Sequence, residues 1–160
     1  MVGARGTRIE LASGPYVITA LNAAQMAAKI IYRHYKPDEL EIARRFVASG
    51  RILGTWFFDV FLETPRSKDI LANYGVTTAG EATPWMDRID AVAHEGRMTH
   101  IIEFKDVLRP GGIGQLLYYG KAYREQYDPK ALIQLEYVVH VDRPERHTTL
   151  EEQGIRLWIV

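Results

Sequence analysis

Apolar residues recur at helical spacing through TALNAAQMAAKIIYRHY, which predicts a helix over 19–35. A second helix is predicted over 36–50, KPDELEIARRFVASG, with Pro37 in the first turn, two acids behind it and Gly50 as the stop. The next run, RILGTWFFDVFLE (51–63), is apolar on nearly every side and reads as a buried helix, with a strand as the alternative. Beyond Pro65 the pattern changes: NYGVTTAGEATPW (73–85) is rich in Gly and Thr and suits a short strand with turns. DRIDAVAH and RMTHIIEFK flank Glu95-Gly96 and predict a β-hairpin whose two-residue turn is carried by the glycine. GGIGQLLYYGKAYREQY returns to helical spacing, and ALIQLEYVVHV and GIRLWIV read as strands. Between those two strands, DRPERHTTLEEQG reads as a solvated loop. The order predicts an α/β sandwich, a central mixed sheet of about four or five strands flanked by helices. Trp56, Phe57, Phe58 and Phe61 are expected in its core.

Length and composition narrow the class. The chain's 160 residues suit one domain, here read as N-terminal helices over 1–65 and a core over about 74–160. Twenty basic and twenty acidic residues cancel, so bulk charge selects no partner. Residues 1–36 nevertheless carry five Lys or Arg against one Glu, and residues 103–124 carry four against two acids, zones that suit a local anion. The absence of cysteine excludes disulfides, iron–sulfur ligation and cysteine-rich zinc sites. With no signal-like leader and no long charge-free apolar span, the expectation is a cytoplasmic protein without a membrane partner. There is no Walker pattern, no G-x-G-x-x-G, no H-E-x-x-H and no nucleophile elbow. The glycines of RPGGIG are expected to let the chain turn sharply past a crowded site. His94 and His100 are expected to have structural roles.

The hairpin carries the chemistry. With Glu95-Gly96 as the loop, His94 faces Arg97 and Asp90 faces Ile101, so Asp90, Ile101, Glu103 and Lys105 share one face. Asp90 and Glu103 are then diagonal neighbours. Two converging carboxylates beside a lysine make a hard, oxygen-rich site suited to Mg²⁺ or Mn²⁺. Such an ion can grip a phosphate oxygen and acidify a bound water, and Lys105 can position that water or neutralise the transition state. The alternative is an ion pair on a solvated strand face.

The run DAVAHEGRMTHIIEFK has the form D-x12-E-x-K, and GQLLYYGKAY follows with Gln115 and Tyr119 four apart, on one helical face. Together these resemble the PD-(D/E)XK nuclease superfamily, the restriction-endonuclease-like phosphodiesterases, and within it the branch of RecB-type and Cas4-type nucleases with a Q-x-x-x-Y motif. The resemblance covers roughly residues 85–142. It implies a restriction-endonuclease-like sandwich and a Mg²⁺-dependent deoxyribonuclease with Asp90, Glu103 and Lys105 catalytic. Asp90, Glu103 and the Phe104 carbonyl would hold the metal, and Gln115 and Tyr119 would bind DNA. Single-stranded ends or flaps are the implied substrates, and DNA repair or recombination the implied setting. The chain departs from the branch in lacking the cluster cysteines and the His of an early helix; Asp59, Glu63 and Glu81 are the acids open for a third ligand. Asp87 is a second candidate for the first acid, at opposite parity to Asp90. Two alternatives stay open: a structure-selective endonuclease or junction resolvase acting as a homo-oligomer, and a DNA-binding protein without turnover.

Overall fold

The computed structural model describes residues 11–31, 36–74 and 79–160. Six strands form one sheet in chain order: β1 Ser13–Ile18, β2 Gly54–Leu62, β3 Asp87–Glu95, β4 Met98–Val107, β5 Leu132–Val141 and β6 Ile155–Ile159. β1 to β4 run antiparallel, whereas β4, β5 and β6 are parallel. The change of sense follows from the connections. A tight turn can only reverse a strand, while parallel neighbours need a crossover, here α4 Pro110–Gln126 and then α5 His147–Glu152. Three further helices, α1 Ala23–Lys29, α2 Pro37–Ala48 and α3 Pro65–Asn73, complete the described set. The chain is thus α/β, with a mixed sheet between helical layers. None of the described helices is long and apolar enough to cross a membrane.

Each face of the sheet buries its own cluster. Ala23, Ala27, Ile42, Phe46 and Val47 of α1 and α2 pack on Trp56, Phe58, Phe104 and Val138. On the other face Ile113, Leu116, Tyr119 and Tyr123 of α4 pack on Ile101, Tyr137 and Val139. Trp56 and Phe58 are fully buried, as expected, and Phe57 packs from the opposite side.

Several elements differ from their sequence reading. Residues 51–63 form β2, not a helix. A strand covered on both faces loses its polar alternation and reads as continuously apolar, and β2 lies inside the sheet with β1 and β3 on either side. The helix expected over 19–35 contracts to Ala23–Lys29. Asn22 folds the preceding turn by accepting from Thr19 N at 2.8 Å and donating to Val17 O at 3.0 Å, and Ile30 is already extended. Residues 32–35 lie outside the described residues. β1 was not expected, because Gly14 and Pro15 punctuate it. Residues 65–73 are helical, started by Thr64 and Ser67 in a reciprocal capping box with Pro65 at the first position. Residues 79–85 form a 3₁₀ turn, and no short strand occurs there among the described residues. The charged segment after β5 contains a 3₁₀ turn, Pro144–Arg146, and α5.

The parallel half is tied by a buried carboxylate. Glu136 of β5 is fully buried, 2.8 Å from His100 Nδ1 of β4, and accepts from Trp158 Nε1 of β6 at 2.8 Å. Arg156 Nη1 lies 3.6 Å away. His100 therefore has the structural role expected of it.

Gly112, in the first turn of α4, lets that helix seat on β5: a Cβ there would lie 2.0 Å from the Tyr137 hydroxyl oxygen, whereas one at Gly111 would meet nothing within 4 Å. Gly112 thus serves close helix–sheet packing. Gly112→Ala should cost about 1–3 kcal/mol as an overpacked contact, read as a lower urea midpoint, while Gly111→Ala should stay within about 0.5 kcal/mol of wild type.

Candidate active site

The hairpin turn lies at Gly96-Arg97, with Gly96 at φ 57, and its last pairs are Glu95 with Met98 and His94 with Thr99. This corrects the expected loop, Glu95-Gly96, and moves the register by two residues. A shift of two preserves which face each side chain takes, so the grouping of Asp90 with Glu103 and Lys105 survives. The correction brings the acids closer in register. Continuing from Val92–Ile101 and Ala91–Ile102 sets Asp90 opposite Glu103, where Ile101 was expected.

At that point the sheet forks. β3 and β4 stop pairing after Ala91–Ile102, yet β3 stays on β2 as far as Asp87–Leu62 and β4 stays on β5 as far as Val107–Val141. Asp90 and Glu103 sit in the crotch. Instead of a β3 backbone carbonyl, Phe104 N donates to Asp90 Oδ2 at 2.9 Å. Because the N–H and C=O of one strand residue point to the same side, the Phe104 carbonyl is turned toward the same gap, while its ring is buried on the α2 face.

The fork has a backbone cause. Asp59 of β2 has φ 53, the only non-glycine residue in the left-handed region among those described. Phe58 and its partner Ala91 pack on the α2 face, but Val60 and its partner Ile89 pack on the α4 face. The pleat therefore reverses across Asp59 in β2 and Asp90 in β3, bending this ribbon away from β4. Aspartate suits the position, since it enters the left-handed region at lower cost than most residues.

Burial sets the electrostatics. Glu103 Oε1 pairs with Lys105 Nζ at 2.8 Å, and Glu103 Oε2 is buried without a hydrogen-bond partner. Burial pushes the Glu103 pKa up; Lys105 and contact with Asp90 oppose this without overcoming it. For Lys105 burial pulls down, but the charge and hydrogen bond of Glu103, with Asp90 and Glu39, leave its pKa above the ordinary value. An ion pair ordinarily favours the charged form of both partners. Here the desolvation falls on the acid, 2% exposed against 26% for the amine, so only the lysine gains. A divalent cation would reverse that balance at Glu103.

α4 lies over the same gap. Tyr119 is buried, and its pKa is raised by burial first and then by Glu103, Asp90 and Asp87. Its ring is closed from solvent, which leaves a phenol that stays protonated beside the acids. Gln115, one turn earlier, is exposed and lines a cleft of about 260 Å³ with Lys36, Glu39, Lys105, Arg109 and Gly112. Asp87, the alternative first acid, acts on Tyr118, whose pKa is raised by burial first and then by Asp87. Glu39 was not anticipated: from the first turn of α2 its Oε1 comes within 3.9 Å of Lys105 Nζ. An acid behind Pro37 has an adequate local reason as a favourable charge at a helix N-terminus, so nothing in the sequence marks it further.

The acids considered for a third ligand have other surroundings, although Asp59 lies across from Asp90 in the β2–β3 register. Asp59 forms an ion pair with Arg88 Nε at 3.2 Å. Glu63 follows β2, its backbone held by the Gln126 side chain through bonds of 2.7 and 2.9 Å. Glu81 is exposed on the 3₁₀ turn. Among the described residues no three His, Cys, Asp or Glu converge as a metal-holding group. The two-acid gap nevertheless suits a hard cation, since the orphaned Glu103 Oε2 and the uphill ionisation of Glu103 are both relieved by one. Comparison with protein-family models, curated proteins and solved structures found no match.

A raised Glu103 pKa means that the native state holds this proton more tightly than the unfolded chain does. The resulting stability is complete below the ordinary value near 4.5 and is lost as pH rises through the raised value. Glu103→Gln should therefore melt higher than wild type at pH 7 in chelator, with the difference vanishing by about pH 4. Mg²⁺ should raise the melting temperature of wild type and not of the variant. At the fork, Asp59→Gly should retain the fold, whereas Asp59→Val should cost roughly 1–2 kcal/mol more in denaturant titration, the penalty of a left-handed branched residue.

Proposed function

We propose that the protein is a metal-dependent nuclease of the PD-(D/E)XK kind, with a restriction-endonuclease-like sandwich, hydrolysing DNA phosphodiester bonds at single-stranded ends or flaps. One observation carries the reading: Asp90 and Glu103 meet where β3 leaves β4, with Lys105 Nζ 2.8 Å from Glu103. A surface ion pair on a solvated strand face, the rival account of E-x-K, would not be 2% exposed on its acidic side.

Asp90, Glu103 and the Phe104 carbonyl would hold Mg²⁺ or Mn²⁺. When bound, the ion supplies Lewis-acid polarisation of a phosphate oxygen and a water of lowered pKa. Lys105, its pKa raised, remains an ammonium at neutral pH. It is thus suited to orient the attacking water by hydrogen bonding and to offset the charge that grows on the phosphoryl oxygens, and unsuited to accept a proton. Gln115, exposed in the adjoining cleft, can donate its amide to a neighbouring phosphate. Tyr119, protonated and close to both acids, can donate a hydrogen bond within the gap. Water adds across one P–O bond, leaving a phosphomonoester and an alcohol.

Lys105→Ala should lower cleavage of end-labelled DNA in Mg²⁺ by at least about 100-fold, while binding in Ca²⁺ stays within a few-fold of wild type. Product mapping on single-stranded, duplex and flapped DNA tests the substrate class. Absence of metal-dependent cleavage by wild type on all three would remove the enzyme reading.

A further inference from the structure

Lys105 stands between two acids that come from different elements. Its Nζ is 2.8 Å from Glu103 Oε1 on its own strand and 3.9 Å from Glu39 Oε1, which reaches it from the first turn of α2. That helix is fixed in place. Ile42, Ala43, Phe46 and Val47 are buried along it, and the Phe46 ring meets Phe104 edge-on, with centroids 6.3 Å apart. Phe104 is the residue between Glu103 and Lys105, so the contact ties α2 to the part of β4 that carries the site.

The other charges of the cleft do not take this role. Asp106 and Arg109 face each other at 3.4 Å and are both exposed, and Lys36 and Asp38 are exposed at the start of α2. Glu39 is 16% exposed and Lys105 26%, so theirs is the more enclosed pair. A helix N-terminus gives Glu39 a reason to be acidic, but not a reason to point its carboxylate at the lysine. The need for a second acid follows from the gap. With Glu103 as its sole counter-charge, the Lys105 ammonium would share one buried carboxylate with a divalent cation, and like charges held together away from water repel. An anion outside the gap removes the conflict, because Lys105 can loosen from Glu103 without losing a partner.

Resting on the nuclease reading above, we infer that Glu39 is a positioning residue that takes over Lys105 when a divalent cation occupies the gap. The ammonium shifts from Glu103 toward Glu39 and stays in the cleft beside Gln115. Glu39 is not a ligand of the ion: it acts through Lys105 alone.

The test is a Mn²⁺ titration followed by the electron paramagnetic resonance of the free ion, in about 0.2 M KCl to screen distant charges, with thermal melts to check folding. Glu103→Gln should abolish binding, which assigns the ion to the gap. Glu39→Gln should weaken Mn²⁺ binding by at least about 5-fold when Lys105 is present and by less than about 2-fold in a Lys105→Met background, the coupling expected of side chains in contact. Equal losses in both backgrounds would make Glu39 a ligand, and no loss in either would leave it without a role. Each result would overturn the handover, as would Mn²⁺ binding that survives Glu103→Gln. Cleavage of end-labelled DNA by wild type reports separately on the reaction. Coupling without cleavage would keep the handover and remove the nuclease reading; cleavage without coupling would do the reverse. A wild type that binds no Mn²⁺ would lose both.

Discussion

The site depends on a bend in the backbone two strands away from the lysine. Asp59 turns left-handed in the middle of β2, the pleat reverses there and across at Asp90, and β3 parts from β4. Without the parting, Phe104 N would bond to a β3 carbonyl and the acids would be an ordinary cross-strand pair. With it, Asp90 moves in to cap the strand that Glu103 and Lys105 occupy. Irregularities of this kind concentrate beside functional sites because a regular ladder leaves no polar group to spare.

The bend alone would leave two acids in a poor environment, and the surrounding charges show how it is tolerated. Lys105 neutralises part of the cost, Asp90 is bound by a backbone N–H, and the remaining penalty collects on Glu103. Tyr119 above and Glu39 at the side feel the same field with opposite consequences. The phenol keeps its proton, whereas the nearby acid helps hold the charge on Lys105. The preference of the gap for positive charge is thus distributed over four elements of the fold.

Much of this was legible along the chain, and the rest was hidden for identifiable reasons. Glu103, Lys105, Gln115 and Tyr119 occupy elements whose periodicity is clean, so their faces could be counted. The turn was misplaced by one residue because Gly96 fits either position of a tight loop, yet the face assignment held, since the register error was two and the strand period is two. β2 was misread because burial on both sides erases alternation. The role of Asp59 was invisible: an aspartate among phenylalanines and valines offers a side chain to reason about, whereas its importance lies in φ. Glu39 comes 51 positions before Asp90 on another element, a separation that only tertiary packing closes. Gly112 looked like a turn residue, and only the Tyr137 phenol beneath it explains the missing side chain.

β4 is asymmetric in what its two surfaces do. Its odd positions, Ile101, Glu103 and Lys105, meet α4 and the gap, while its even positions begin with His100, fastened to Glu136 and through it to Trp158. Sliding this strand by one place would put a histidine network where Glu103 belongs and strand Glu103 and Lys105 among the aromatics beneath α2. The misaligned alternative is therefore penalised twice over, once on each side. Glu136 thus couples the alignment of the parallel half to the face on which Glu103 and Lys105 lie.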